Sequence, residues 1–136
     1  MIISTSITIE PQFYDLDPMG VVWHGNYVRF FEMARCDLLN KIDYNYRQMQ
    51  ESGYIWPIVD MRVKYVRSIR FEQPVIVTAT ITETANRLKI DYVIIDKASG
   101  EVLTKAHTIQ VAVDTQNGEL CLESPTALTG KVSVPL

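Results

Sequence analysis

One segment constrains the fold of this 136-residue chain more than any other: "YVRFFEMARCDLLN", residues 27–40. Tyr27, Phe31, Ala34 and Leu38 recur at helical spacing, and Phe30 and Leu39 widen the stripe. Arg29, Glu32 and Asp37 fall largely on the other side. The spacing predicts a helix over about 26–41, with Asn26 as its N-cap. No other stretch of comparable length has this period, apart from one more short helix expected near 44–51 and ending at Gly53. So wide an apolar face must be covered, and the rest of the chain offers strands to cover it.

Those strands announce themselves by alternation and β-branching. Residues 2–10 form the first. In 57–65, Val59, Met61, Val63 and Tyr65 face one way and Asp60, Arg62 and Lys64 the other, and the alternation slips at Tyr65–Val66, where a bulge or bend is expected. Further strands are expected at 75–83, 87–96 and 101–113, separated by short turns at 84–86 and 97–100, which makes an antiparallel meander. Asn117-Gly118 marks another turn. The tail, 119–136, has few apolar anchors and is expected to be loose. The pattern therefore reads as one α+β domain over 1–136: a curved antiparallel sheet of about five strands wrapped around one long central helix. Its loop and helix occupy 13–41 and its strand meander 57–113.

Composition narrows the function. Hydrophobic residues make up 47% of the chain, enough for a core without disulfide or metal staples. A formal net charge of −3 argues against a general nucleic-acid binder. Cys36 and Cys121 are far apart and in no metal-ligand spacing, so two free thiols in a reducing compartment are expected. The first residues have no basic leader or continuous apolar run, and no segment approaches the about 20 apolar residues needed to span a bilayer. A cytoplasmic protein is the expectation.

The chemistry concentrates just before the long helix, in "FYDLDPMGVVWHGNY", residues 13–27. A helix start presents unpaired backbone amides and the positive end of a dipole, which suits a developing oxyanion. Gly25 would let a carbonyl approach the backbone closely. Asp17, on a loop braced by Pro18 and Gly20, could attack that carbonyl or deprotonate a water, and His24 could hold substrate or water. Each residue also has a plainer use. Asp17 before a proline is a common turn former, His24 a structural hydrogen-bonder and Trp23 a packing anchor. Asp15 and Asp17 hint at a metal pair but lack a third ligand, so no metal is expected. Glu32 and Arg35 have the spacing of an intrahelical ion pair. Cys36 has no activating base, and His107 lies mid-strand.

The segment "YDLDPMGVVWHGNYVRFFEMAR", residues 14–35, closely resembles the signature of hotdog-fold acyl-CoA thioesterases of the 4-hydroxybenzoyl-CoA thioesterase type, most of all the branch associated with the Tol-Pal system. The matching positions are Asp17, the turn Pro18–Gly20, Val21–Val22, Trp23, His24, Asn26–Tyr27, and Glu32, Ala34 and Arg35. Much of that family carries Pro-Ala-Arg-Phe-Asp-Asp where this chain has "SIRFEQPV". The resemblance implies a thioesterase that needs no cofactor, with Asp17 as nucleophile or general base and the His24–Gly25 amide polarising the thioester carbonyl. Trp23, Asn26 and Tyr27 would contact substrate. The donor would be acyl-CoA or an acyl carrier protein, and the assembly a homodimer pairing into a homotetramer. A 3-hydroxyacyl dehydratase and a non-catalytic acyl-CoA-binding protein are the alternatives. Arg62, Lys64, Arg67 and Arg70 form a local cationic stretch, and Arg67 and Arg70 are the candidates for the coenzyme A phosphates.

Overall fold

A computed structural model describes residues 2–132. Strand β1 (Ile3–Ile9) comes first, followed by an irregular stretch and then helix α1 (Tyr27–Lys41). Helix α2 (Tyr46–Glu51) and strands β2 (Tyr54–Ile55), β3 (Ile58–Tyr65), β4 (Val75–Glu83), β5 (Leu88–Asp96), β6 (Val102–Gln110) and β7 (Val113–Asp114) follow, and α3 (Thr126–Val132) closes the described chain. Five strands make one sheet in the order β1-β4-β5-β6-β3, every pair antiparallel, and β2 pairs with β7 separately.

The register puts alternate residues of each strand on one face. Ile7, Val77, Ile94, Thr104 and Tyr65 form one row across the sheet, and Thr5, Ala79, Tyr92, Ala106 and Val63 the next. Helix α1 packs on this face, mainly over β1 and β4. Phe30, Phe31, Ala34 and Leu38 are buried together with Val75, Val77, Ala79, Ile90 and Ile94. Each large side chain so buried contributes about 1.5–3 kcal/mol. Phe31 and Tyr92 lie with ring centroids 4.9 Å apart, and the Tyr92 hydroxyl meets that of Thr108 at 2.9 Å. Burial pushes the Tyr92 phenol up to about 12, so it stays neutral. On the β1 side, Thr5 donates to Asp37 and the Lys41 ammonium donates to the Ser4 carbonyl at 2.6 Å.

The helix boundaries have local causes. Helix α1 ends where Asp43 takes a left-handed φ of 56° and the Tyr44 amide returns to the Leu39 carbonyl at 2.9 Å. Helix α2 starts in a capping box: the Asn45 side chain accepts from the Gln48 amide at 3.0 Å, and the Gln48 side chain accepts from the Asn45 amide at 2.8 Å.

Three expectations need correcting. Asn26 does not cap α1; its amide group donates to the Asp15 carbonyl at 2.8 Å, a tertiary contact that outcompetes the local one. The bulge or bend expected at Tyr65–Val66 is present, since the Val66 and Arg67 amides both donate to the Leu103 carbonyl at 3.0 Å, and β3 has a further register shift between Ile58 and Asp60. The strand expected over 101–113 stops at Gln110, and β7 turns away to pair with β2. The tail carries a helix: Leu128 of α3 is completely buried in the main core, while the last residues, 133–136, lie outside the described range. Leu128→Ala should cost about 3 kcal/mol, read as a lower urea midpoint at unchanged slope.

Candidate active site

The segment before α1 is a small hairpin fastened to the helix by Asp15. A single 3-10 turn, Phe13–Asp15, is closed by a reciprocal pair in which the Asp15 carboxylate accepts from the Gln12 amide at 2.8 Å and the Asp15 amide donates to Gln12 at 2.9 Å. That carboxylate, 2% exposed, also takes an ion pair from Arg29 in the first turns of α1. The Asp15 carbonyl accepts from the Trp23 amide at 2.9 Å and from the Asn26 side chain at 2.8 Å. One residue thus ties both ends of the loop to the start of the helix.

Asp17 sits at the hairpin's turn. Leu16 pairs with Val22, and the Asp17 amide donates to Val21 at 2.8 Å. Pro18 presets the next backbone angle, and Gly20, at φ +77°, closes the turn by donating to the Asp17 carbonyl at 3.0 Å. Asp17 Oδ1 accepts from the Met19 amide at 2.8 Å and from the Val21 amide at 3.4 Å. Among the described residues no donor reaches Oδ2. The turn thus engages one oxygen of this aspartate and leaves the other open. Its charge also bears on Tyr27, the first residue of α1: burial chiefly raises that phenol's pKa, with Tyr65 and Asp17 adding to the rise.

At the helix start, His24–Asn26 form a second 3-10 turn leading into α1. It is closed by Asn26 donating to Trp23 at 2.8 Å and by the Tyr27 amide donating to the His24 carbonyl. The His24 and Gly25 amides lead that turn and have no acceptor within it. His24 is exposed, its ring tilted against Trp23 with centroids 5.2 Å apart. The Gly25 hydrogen faces the Trp23 indole: a Cβ there would lie 2.3 Å from Trp23 Cζ3. Glycine is needed here first to seat that ring, rather than to leave the backbone bare. Because Trp23 is 49% exposed and free to rotate outward, Gly25→Ala should leave the unfolding midpoint nearly unchanged while shifting the tryptophan emission.

Tyr27, expected against substrate, is instead a core side chain, 2% exposed and edge-on to Tyr65 with ring centroids 4.8 Å apart. The Tyr65 hydroxyl donates to the His24 carbonyl at 3.1 Å. Neither Asp15 as the loop's fastening nor Tyr65 as a neighbour of the helix start was singled out in the sequence. Asp15 had a local signal, Gln12 three residues before it in capping-box spacing; Tyr65 had none.

The cationic stretch divides. Arg67 and Arg70 line one polar cleft of about 490 Å³, together with Ser68, Gln73 and Glu101. Arg67 pairs with Glu101 at 2.5 Å, and a backbone bridge between Arg70 and Val21 sets this loop beside the Asp17 hairpin. Arg62 and Lys64 instead share the outer sheet face with Lys89, Lys105 and His107. Glu32 and Arg35 form the intrahelical ion pair, and Arg35 is buried with Nε and Nη1 lacking partners among the described residues. Burial, then the Glu32 charge, pushes the Cys36 thiol up, which disfavours the thiolate. Among the described residues no cluster suits a metal ion, and no helix is long and apolar enough to cross a membrane.

The profile of the thioesterase-like superfamily matches residues 11–132. The chain belongs to that superfamily. This thioesterase-like protein is 26% identical over 106 residues to the acyl-CoA thioester hydrolase YbgC of Escherichia coli O6:H1, a match covering 78% of this chain and 79% of that one. Among solved structures, a DHNA-CoA thioesterase from Staphylococcus aureus superposes with a TM-score of 0.78 at 29% identity, covering 88% of this chain and 80% of its own. A 1,4-dihydroxy-2-naphthoyl-CoA thioesterase from Synechocystis reaches 0.84 at 19% identity, covering 97% and 99%. The five-stranded antiparallel sheet on one long helix is thus the hotdog fold.

Proposed function

We propose that this protein is an acyl-CoA thioesterase in which Asp17 drives hydrolysis and the His24–Gly25 amide polarises the thioester carbonyl. The observation that carries the reading is the arrangement at the helix start. A carboxylate with one uncommitted oxygen is held on a hairpin, and Asp15 fastens that hairpin to a turn whose leading amides have no acceptor within it. Water supplies the oxygen, the carbon–sulfur bond breaks, and the thiolate leaves as coenzyme A after taking a proton. Asp17 either removes the proton from water or attacks first, giving a mixed anhydride that water then opens. No cofactor enters either route. Arg67 and Arg70 would meet the coenzyme A phosphates, with Arg67 exchanging Glu101 for phosphate; the support is the polar cleft they line beside the hairpin. An acyl carrier protein is the other donor this reading admits. Placement in the Tol-Pal-associated branch rests on the 14–35 signature alone.

The assembly reading is a dimer through β3, pairing further into a tetramer. Its support is that α1 leaves the β6 and β3 end of the sheet largely to others, and that β3 is an edge strand with Ile58, Val59 and Tyr65 exposed. Sedimentation should give a dimer or tetramer, and a monomer at all concentrations would overturn it. The cytoplasm is the proposed compartment, in keeping with two free cysteines.

A thiol-release assay with acetyl-, octanoyl- and benzoyl-CoA tests the activity. Release of free coenzyme A is expected. A folded protein that binds these thioesters and releases no thiol would leave the non-catalytic binder standing instead, and hydration of an enoyl-CoA would favour the dehydratase.

A further inference from the structure

We infer that Tyr65 is a positioning residue for the oxyanion donor: from the end of edge strand β3, its hydroxyl orients and polarises the His24–Gly25 peptide. The inference rests on the proposed function and adds to it a residue outside the signature segment.

The His24 carbonyl accepts two donors, the Tyr27 amide and the Tyr65 hydroxyl at 3.1 Å. A carbonyl oxygen has two lone pairs, and both are then engaged. The same planar peptide carries the Gly25 N–H on its opposite side. Donors on the oxygen draw electron density from the nitrogen, so the N–H becomes a stronger donor, and its direction is fixed because the peptide plane can no longer swing. In a turn of only three residues, with no side-chain cap, little else holds that plane.

The phenol is itself held from below. Its ring stands edge-on to Tyr27 at 80°, and Tyr27 is locked in the core. Tyr65 also pairs in register with Thr104 of β6, so its backbone belongs to the sheet. The hydroxyl proton is committed to the His24 carbonyl, which makes Tyr65 a poor acid for the leaving sulfur and leaves positioning as its role. Since Tyr65 ends the edge strand, anything that pairs with β3 acts on the donor through it.

Tyr65→Phe keeps the ring contact and removes only the hydroxyl. With the fastest-hydrolysed of acetyl-, octanoyl- and benzoyl-CoA, kcat should fall about tenfold, with KM and the thermal midpoint unchanged. The decisive readout is spectroscopic: the infrared stretch of a ¹³C-labelled thioester carbonyl bound to the Asp17→Asn variant, with and without Tyr65→Phe. A downshift on binding that shrinks in the double variant supports the inference. A downshift that survives intact overturns the role of Tyr65 while leaving the proposed function in place. No downshift in either variant overturns the backbone donor itself, and with it this part of the proposed function.

Discussion

Asp17→Asn should lower kcat by about 10³-fold while coenzyme A binding and the unfolding midpoint stay close to wild type. The separation of effects follows from the two oxygens. Asparagine keeps a carbonyl oxygen at the position of Oδ1, so the Met19 and Val21 amides retain their acceptor and the hairpin persists. What is lost is the anion at Oδ2, the group that takes a proton or attacks carbon. Alanine is the poorer test, because it strips the turn of its acceptor and confounds stability with chemistry. A single turnover of wild type in ¹⁸O water then bears on the route: label in Asp17 shows that the carboxylate attacks and that water opens the mixed anhydride at the aspartyl carbon. Wild-type turnover by the asparagine variant would remove Asp17 from the reaction.

Of the changes that touch no substrate, Asp15→Ala should cost the most activity. It removes the acceptor for the Gln12 amide and the partner of Arg29 in one step. Loss of a buried, charge-assisted hydrogen-bonding group costs about 2 kcal/mol. The figure is held down because Arg29 is 47% exposed and regains water on its own. The activity loss should exceed the stability loss in importance, since the loop that carries Asp17 is no longer fastened at that point to the helix whose first amides it faces in the proposed mechanism. Displacement of a reacting group by about 1 Å costs as much as 10²-fold in rate. Urea unfolding and kcat, measured together on Asp15→Ala and Asp15→Asn, check this. Asparagine keeps the acceptor for Gln12 and should sit between alanine and wild type in both. Wild-type values for the alanine variant would show the hairpin to be held by its own turn alone.

The parts of this molecule legible in sequence are those whose cause is periodic and local. The stripe of Tyr27, Phe31, Ala34 and Leu38 located α1 to within a residue, and β-branching and alternation located β4 and β5 at least as well, because burial on one face writes a period into the chain. What escaped was decided by contacts between distant segments. Asn26 has the composition of a cap, yet a carbonyl eleven residues earlier claims its side chain. The tail is pinned through Leu128 with Ala127 and Val132 packed beside it, and a single helical turn of apolar residues is too short to write a readable period. For the site, the density of matches over 14–35 pointed to Asp17, His24 and Gly25, while Tyr65, reaching His24 across forty-one positions, leaves no mark in any window short enough to read.

The division of labour within Asp17 has a consequence for how the position tolerates change. Glutamate would preserve the charge but overshoot the Met19 amide by a methylene, and serine would preserve the turn but not the charge. With Asp17 in its proposed role, a change at this position is therefore penalised twice, once in folding and once in turnover, by two mechanisms that share no substitute. Enzymes whose reactive group is structurally idle can wander through neighbouring residue types; on the proposed mechanism this one has closed that route by building its bend from the residue it reacts with.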